Sequence, residues 1–262
     1  MSVIALLTDF GETDYFVSSI KGVILKINPD VHIIDISHSV GSYNIKEAAF
    51  ILKSCYKYFP ERTIFICVVD PGVGSPRKII LTFTNNQYFI APDNGILSFV
   101  LNENPEREIY EIKESKYFLP TISDTFHGRD VMAPVAAHLS RGLPLNEFGE
   151  KISDYIAIPF PSPKLIKKDV YEAEIIHVDK FGNLITSIPV EFIASVNPDK
   201  KLLLEIKGKK ISRRVKSYFE GRKDELIFLV GSSNFLEIGI NQESADSFLK
   251  ARPGTKVKIL IK

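Results

Sequence analysis

Apolar residues in the first half of the chain follow two alternating rhythms. Apolar runs at 3–8 and 63–69 have the length and β-branched content of strands buried on both faces, and 31–36 reads as a further strand. Between them the spacing becomes helical. Phe16, Ile20, Val23, Ile24 and Ile27 form one stripe, stopped by Asn28-Pro29-Asp30, and Ile45, Ala49, Leu52 and Tyr56 form a second within 44–59. Asn44 and Glu47 have capping-box spacing, and Asp14 is placed to cap the first helix. Segments 78–83 and 88–91 predict a hairpin around Asn85-Asn86, 94–101 a short helix and 108–112 a further strand. A last helix carries Met132, Val135, Ala136 and Leu139 on one face, with Pro134 near its first turn and Gly142 at its stop. Strands alternating with helices predict an α/β domain with a mostly parallel sheet.

The grammar changes after Pro159-Phe160-Pro161-Ser162-Pro163. Runs at 170–178, 202–206, 226–230, 235–240 and 257–261 are strand-like, with no strong helix between them. The expected organisation is an α/β sandwich-type catalytic domain over 1–158, a linker over 159–169, and a smaller all-β, barrel-like domain over 170–262.

Composition narrows the functional classes. The chain has 262 residues and a formal net charge of +1, which gives no global attraction to nucleic acid or to a membrane surface. The basic run Lys207-Gly208-Lys209-Lys210, with Arg213, Arg214 and Lys216, lacks interleaved aromatics and reads as a solvated hairpin face. No apolar run is long enough to span a bilayer. Residues 2–7 lack a basic head and meet Asp9 too early for a signal peptide, and the two cysteines, Cys55 and Cys67, sit in apolar contexts. The expected compartment is the cytoplasm.

The chemistry-bearing residues gather at breaks in the pattern. The 63–69 run ends in Asp70-Pro71-Gly72-Val73-Gly74-Ser75-Pro76-Arg77, whose prolines and glycines forbid continuation of helix or strand. An acid thus stands at the C-terminal mouth of a strand, where open α/β sheets bind ligands, and a loop returns an arginine towards it. Asp9 ends the first strand in the same way, and His127 precedes a helix within Thr125-Phe126-His127-Gly128-Arg129-Asp130. His32, His38, His138 and His177 have no neighbours in sequence that single them out. P-loop, dinucleotide, zinc and serine-hydrolase signatures are absent. By residue type two chemistries are open: Asp9, Asp70, His127 and Asp130 holding a divalent metal for phosphoester hydrolysis, or Asp70, Arg77 and His127 handling a water proton without metal. A nucleoside-binding module without turnover is a third reading.

Six motifs in series carry a resemblance: Thr8-Asp9-Phe10-Gly11, the Asp70-to-Arg77 loop, Pro92-Asp93-Asn94-Gly95, Phe126-His127-Gly128-Arg129-Asp130, Asp179-Lys180-Phe181-Gly182-Asn183 and the Ser232-to-Asn241 segment. Together they resemble the S-adenosylmethionine hydroxide adenosyltransferases, relatives of the fluorinating and chlorinating adenosyltransferases. The resemblance implies cleavage of S-adenosyl-L-methionine by water at C5′, giving adenosine and L-methionine, with a preference for the unnatural R sulfonium epimer. It implies Asp70, Arg77 and His127 as the water-activating triad and Asp9 on the ribose hydroxyls. Asp179, Asn183, Ser232, Ser233 and Glu237 match positions at the methionine and adenine ends. It also implies a homotrimer with substrate at subunit interfaces, and neither metal nor organic cofactor. Halide-using relatives place no carboxylate at the position matching Asp70, where a fixed negative charge would repel the anion. Asp70 therefore favours water over halide.

Overall fold

The structure is a computed structural model that describes residues 2–262. The chain divides into two compact units, Met1–Pro159 and Phe160–Lys262.

The first unit runs β1 (Val3–Thr8), α1 (Phe16–Ile27), β2 (His32–Ser37), α2 (Ile45–Cys55), β3 (Ile64–Val68), β4 (Ile79–Thr84), β5 (Gln87–Pro92), α3 (Ser98–Glu103), β6 (Arg107–Ile112), α4 (Ala133–Ser140) and β7 (Gly149–Lys151). One seven-stranded sheet has the order β2-β1-β3-β5-β4-β6-β7. It is parallel from β2 through β1 and β3 to β5, and antiparallel where the β4–β5 hairpin, β6 and β7 close the other edge. Successive residues of a strand face opposite sides. Ile4, Leu6, Ile64, Ile66 and Val68 accordingly pack under α1 and α4, whereas Ala5, Leu7, Phe65, Cys67 and Val69 pack under α2 and α3. Both faces are covered, which is why these strands read as unbroken apolar runs.

Local chemistry explains several boundaries. The Asn44 side chain accepts from Glu47 N–H and starts α2, as its spacing predicts. Asn85 and Asn86 both take positive φ, the backbone a two-residue hairpin turn needs. The cap expected from Asp14 does not form: Tyr15 occupies the N-cap of α1 and no side chain caps it. The helix expected from residue 94 begins at Ser98, because Gly95 takes a positive φ and turns the chain first. The last helix begins unusually. A π-helical turn, Gly128–Met132, precedes α4. Pro134 has no N–H for the carbonyl of Asp130, and that oxygen accepts from Leu119 N–H at 2.9 Å instead.

The second unit contains β8 (Lys164–Lys167), β9 (Val170–Val178), β10 (Leu184–Pro189), α5 (Val190–Ser195), β11 (Leu202–Ile206), β12 (Lys209–Ile211), β13 (Leu226–Val230), β14 (Phe235–Ile240), α6 (Ala245–Leu249) and β15 (Lys256–Ile261). Its antiparallel, barrel-like sheet has the order β12-β11-β15-β9-β10-β14-β13, with β8 on β9, and wraps a large apolar core, with a smaller cluster of Val215, Ile227 and Leu229 beside it. Residues 164–169, expected to be linker, are instead β8 and a tight turn at positive-φ Asp169 that pairs β8 with β9. Strand β10 was not expected. Its buried Thr186 and Ser187 interrupt the apolar pattern, yet Thr186 donates to Leu236 O and Ser187 Oγ accepts from Glu174 N–H. The basic run around 207–210 is the exposed turn of the β11–β12 hairpin, as read from sequence.

Replacing Asn44 by Ala should destabilise the first unit by about 1 kcal/mol, the usual worth of an N-cap side chain. A lowered urea midpoint with unchanged slope would register it, and an unchanged midpoint would deny the cap its role.

Candidate active site

Strand β1 lies between β2 and β3, so the chain leaves β1 in one direction and returns on its other side. The crevice outside the carboxyl ends of β1 and β3 is the switch point where such sheets bind ligands. Asp9 follows β1 directly and Asp70 follows β3 by two residues. Both line a cleft of about 470 Å³, shared with Phe10, Asp14, Tyr43 and His127.

The Asp70 loop is two consecutive turns, closed by Val73 N–H to Asp70 O and by Ser75 N–H to Gly72 O. Gly74 takes φ +80°, and a Cβ there would stand 2.6 Å from the carbonyl oxygen of Asp124. Only glycine fits. The loop returns Arg77 onto Asp70, with Nε 2.7 and 2.8 Å from the two carboxylate oxygens and a terminal nitrogen also on Oδ2. The side chains are 6% (Asp70) and 9% (Arg77) exposed, so the pair is held largely out of water. The same guanidinium reaches His127, its two terminal nitrogens lying 3.4 and 3.3 Å from Nδ1. Arginine cannot accept a hydrogen bond, so Nδ1 carries the lone pair and the proton of the neutral ring sits on Nε2. Burial, reinforced by the Arg77 charge, pulls the His127 pKa below the ordinary value, against the opposing pull of Asp70.

Neighbouring groups hold these residues in place. Asn94 Nδ2 donates to Val69 O at 2.8 Å, immediately before Asp70. Asp130 is fully buried and binds the Arg129 guanidinium and Ser123 N–H, locking the loop that delivers His127. Its carboxylate is thereby committed, and no three His, Cys, Asp or Glu side chains gather as a metal-holding group among the described residues. Asp9 Oδ2 accepts from Tyr43 N–H at 2.8 Å, so Asp9 is no helix cap. Tyr43 itself takes φ +64°, a conformation that costs a non-glycine residue energy. Phe10, Phe16 and Phe126 pack edge-on or tilted beside the cleft, with centroids 5.5, 5.7 and 5.2 Å apart.

The remaining sequence-predicted residues sit in the second unit. Asp179 Oδ1 accepts from Phe181 and Asn183 N–H, and Oδ2 from Asn183 Nδ2, which organises the β9–β10 turn. On β14 buried Glu237 accepts from the Tyr218 hydroxyl. Two glycines make the room. A Cβ at 231 would fall 1.7 Å from Glu237 Oε1, and one at 239 would fall 2.6 Å from Tyr218 Cε1 and 2.9 Å from Asn183 Oδ1. Burial raises the Glu237 pKa, with the Asp179 charge adding to it and the Tyr218 hydrogen bond and His177 opposing. Ser232 is exposed at the β13–β14 turn, whereas Ser233 Oγ is buried without a hydrogen-bond partner.

The model of the SAM hydroxide adenosyltransferase N-terminal domain matches residues 4–149, and that of the corresponding C-terminal domain matches residues 173–258. The chain belongs to this family. A relative from Methanocaldococcus jannaschii, named (R)-S-adenosyl-L-methionine hydrolase, is 34% identical over 99% of this chain and 96% of its own. A protein of the same name from Thermus thermophilus is 29% identical over 99% and 100%. A fluorinase from Actinoplanes is 32% identical over 71% of each chain. Among solved structures, an uncharacterised conserved protein from Thermotoga maritima superposes with a TM-score of 0.90 at 38% identity, covering 98% of this chain and 99% of that one. The chain brings Asp9, Asp70 and His127 to one cleft, with Arg77 joined to Asp70 and His127, and Asp179, Asn183 and Glu237 to one end of the second unit's sheet.

Sequence reasoning missed Tyr43, Tyr218 and His38. Nothing local marks Tyr43 or Tyr218, whose partners lie 34 and 19 residues away. His38 passed as background although it is buried against Thr8.

Two measurements check these electrostatics. His127 should titrate below pH 6.5 by imidazole NMR. Arg77→Met should raise that midpoint, since it removes a neighbouring positive charge and leaves Asp70. An unmoved midpoint would mean the guanidinium does not face the ring. A carboxyl whose folded pKa is raised stabilises below its unfolded pKa, and that contribution is lost as pH rises through the folded value. Glu237→Gln should therefore melt no lower than the parent at pH 8 and lose any advantage near pH 4.5.

Proposed function

We propose that the chain hydrolyses S-adenosyl-L-methionine, the R sulfonium epimer in preference, to adenosine and L-methionine. The observation that carries this reading is the guanidinium of Arg77 bridging Asp70 and His127 at the mouth of β3, in a chain of this family. Water attacks the ribose C5′ carbon. The C5′–S bond breaks with its electron pair going to sulfur, the C5′–O bond forms, and the water gives up one proton. Sulfur leaves as a neutral thioether, so the leaving group needs no acid. The demand falls on the nucleophile.

In this mechanism Asp70 polarises the water and takes its proton, and Arg77 fixes the carboxylate in one orientation. His127 keeps its Nδ1 lone pair towards Arg77 and offers Nε2–H, which orients the water oxygen. Asp9 accepts from the ribose 2′ and 3′ hydroxyls, as one carboxylate can. Asp179, Asn183, Ser232, Ser233 and Glu237 bind the methionine and adenine ends. The enzyme works as a cytoplasmic homotrimer with sites at subunit interfaces, and needs neither metal nor organic cofactor. A carboxylate beside the nucleophile disfavours halide, the nucleophile suggested by the name of the fluorinase relatives.

Chromatography after incubation with each sulfonium epimer, chelator and chloride tests the proposal. Adenosine and methionine should form from the R epimer. Asp70→Asn, which keeps the shape and removes the charge, should slow turnover by roughly 10²–10⁴. A chlorinated nucleoside as the main product would replace hydrolysis by halide transfer. Loss of activity with chelator would restore a metal mechanism, and adenosine binding without product would leave a binding module.

A further inference from the structure

The pairing of β1 with β2 contains an irregularity that reaches the cleft. Leu6 lies opposite Asp35 but Leu7 lies opposite Ser37, so Ile36 is an extra residue in β2. Bulges are rare in parallel pairs, and they re-aim side chains near sites. Without this one, Thr8 would face Ser37. With it, His38 comes level with Thr8, and hydrogen bonds run from Phe10 through Thr8 to His38. Phe10 N–H donates to Thr8 Oγ1 at 3.3 Å, and Thr8 Oγ1 lies 2.8 Å from His38 Nδ1. His38 Nε2 lies 3.0 Å from Asp35 Oδ1, an ion-pair distance without a hydrogen bond, and Lys21 Nζ reaches the other Asp35 oxygen at 2.5 Å. His38 O accepts from Gly11 N–H at 2.8 Å, so the residue holds the chain on both sides of Asp9, at Thr8 and at Gly11.

Thr8 is 1% exposed and His38 5% exposed. A serine-type triad is geometrically suggested by Thr8, His38 and Asp35, but a hydroxyl so buried cannot meet a substrate. What the chain does reach is Asp9, which sits between Thr8 and Phe10. Both residues flanking it are fixed by the His38 network, while Tyr43 N–H fixes one of its carboxylate oxygens from the loop that follows His38.

We infer that His38 is a positioning residue: it acts through Thr8 and the 9–11 segment to aim Asp9 at the ribose diol. The inference rests on the proposed role of Asp9. It requires that loss of His38 weaken recognition of the two hydroxyls specifically, not binding at large and not the chemical step.

Calorimetric affinities for adenosine and 2′,3′-dideoxyadenosine, measured on the intact protein and on His38→Ala, Thr8→Val and Thr8→Ser, test it. The intact protein should prefer adenosine by about tenfold or more, as expected for hydrogen bonds to a charged acceptor. His38→Ala and Thr8→Val should reduce that preference to about threefold or less while leaving the dideoxy affinity nearly unchanged. Thr8→Ser, which keeps the hydroxyl, should retain it. In turnover, KM for the sulfonium substrate should rise with kcat little altered, and Asp9→Ala should make the further loss of His38 silent. A folded His38→Ala that still prefers adenosine as strongly as the parent overturns the inference and leaves the proposed function intact. Should His38→Ala fail to fold, the Thr8→Val and Thr8→Ser pair decides, and equal preference in both overturns it. An intact protein that binds both nucleosides equally overturns the role of Asp9 and this inference together.

Discussion

Two charges taken almost entirely out of water, Asp70 and Arg77, set the terms on which the cleft is built. Removing one partner of such a pair leaves the other buried and uncompensated, at a cost of roughly 3–5 kcal/mol. The loop between them therefore has to close to within hydrogen-bond length every time the chain folds. Its two stacked turns and the glycine against Asp124 satisfy that demand. The guanidinium then has donors left over. They go to His127, which ties the histidine before α4 to the end of β3 and selects its tautomer.

The sheet supplies the rigid base. Strand β3 is central, buried on both faces and stacked through Phe65 against Phe89 of β5 at 4.9 Å. A site mounted on the end of such a strand inherits its rigidity, whereas Asp9 emerges from β1 next to the edge strand β2 and needs separate bracing. The second unit meets its own constraint differently. There a buried carboxylate, Glu237, is accommodated by the room that Gly231 and Gly239 leave and by one tyrosine hydroxyl.

What the sequence made legible was whatever depends on neighbours along the chain. The apolar runs, the helical stripes, the Asn85-Asn86 turn, the Asn44 cap and the acid at the end of each inner strand all act over a few residues. The six motifs added the family and a set of site residues, since their order compresses three-dimensional information into one line. What stayed hidden depends on register. His38 acquires its partners only because Ile36 is bulged out, and no local feature of Asp35-Ile36-Ser37-His38 announces that. Strand β8 was obscured by the prolines before it, and β10 by two hydroxyls whose acceptor or donor lies in another strand. Asp14 looked like a cap because its spacing suits one, yet the backbone enters α1 at Tyr15 without it.

The π-helical turn at Gly128–Met132 fixes an angular relation between two ends of one segment. An α-helix advances about 100° per residue, so a turn that takes in one extra residue resets the direction of everything upstream by that amount. Downstream, α4 must keep Val135, Ala136 and Leu139 against the sheet; upstream, His127 must face Arg77. A plain helix of the same length would satisfy one and turn the other away. The wider turn acts as a phase shifter, and Pro134, by withholding a single N–H, makes the ordinary winding the less favourable one. Deletion of one residue here would leave the composition of the site untouched and rotate its histidine out of it.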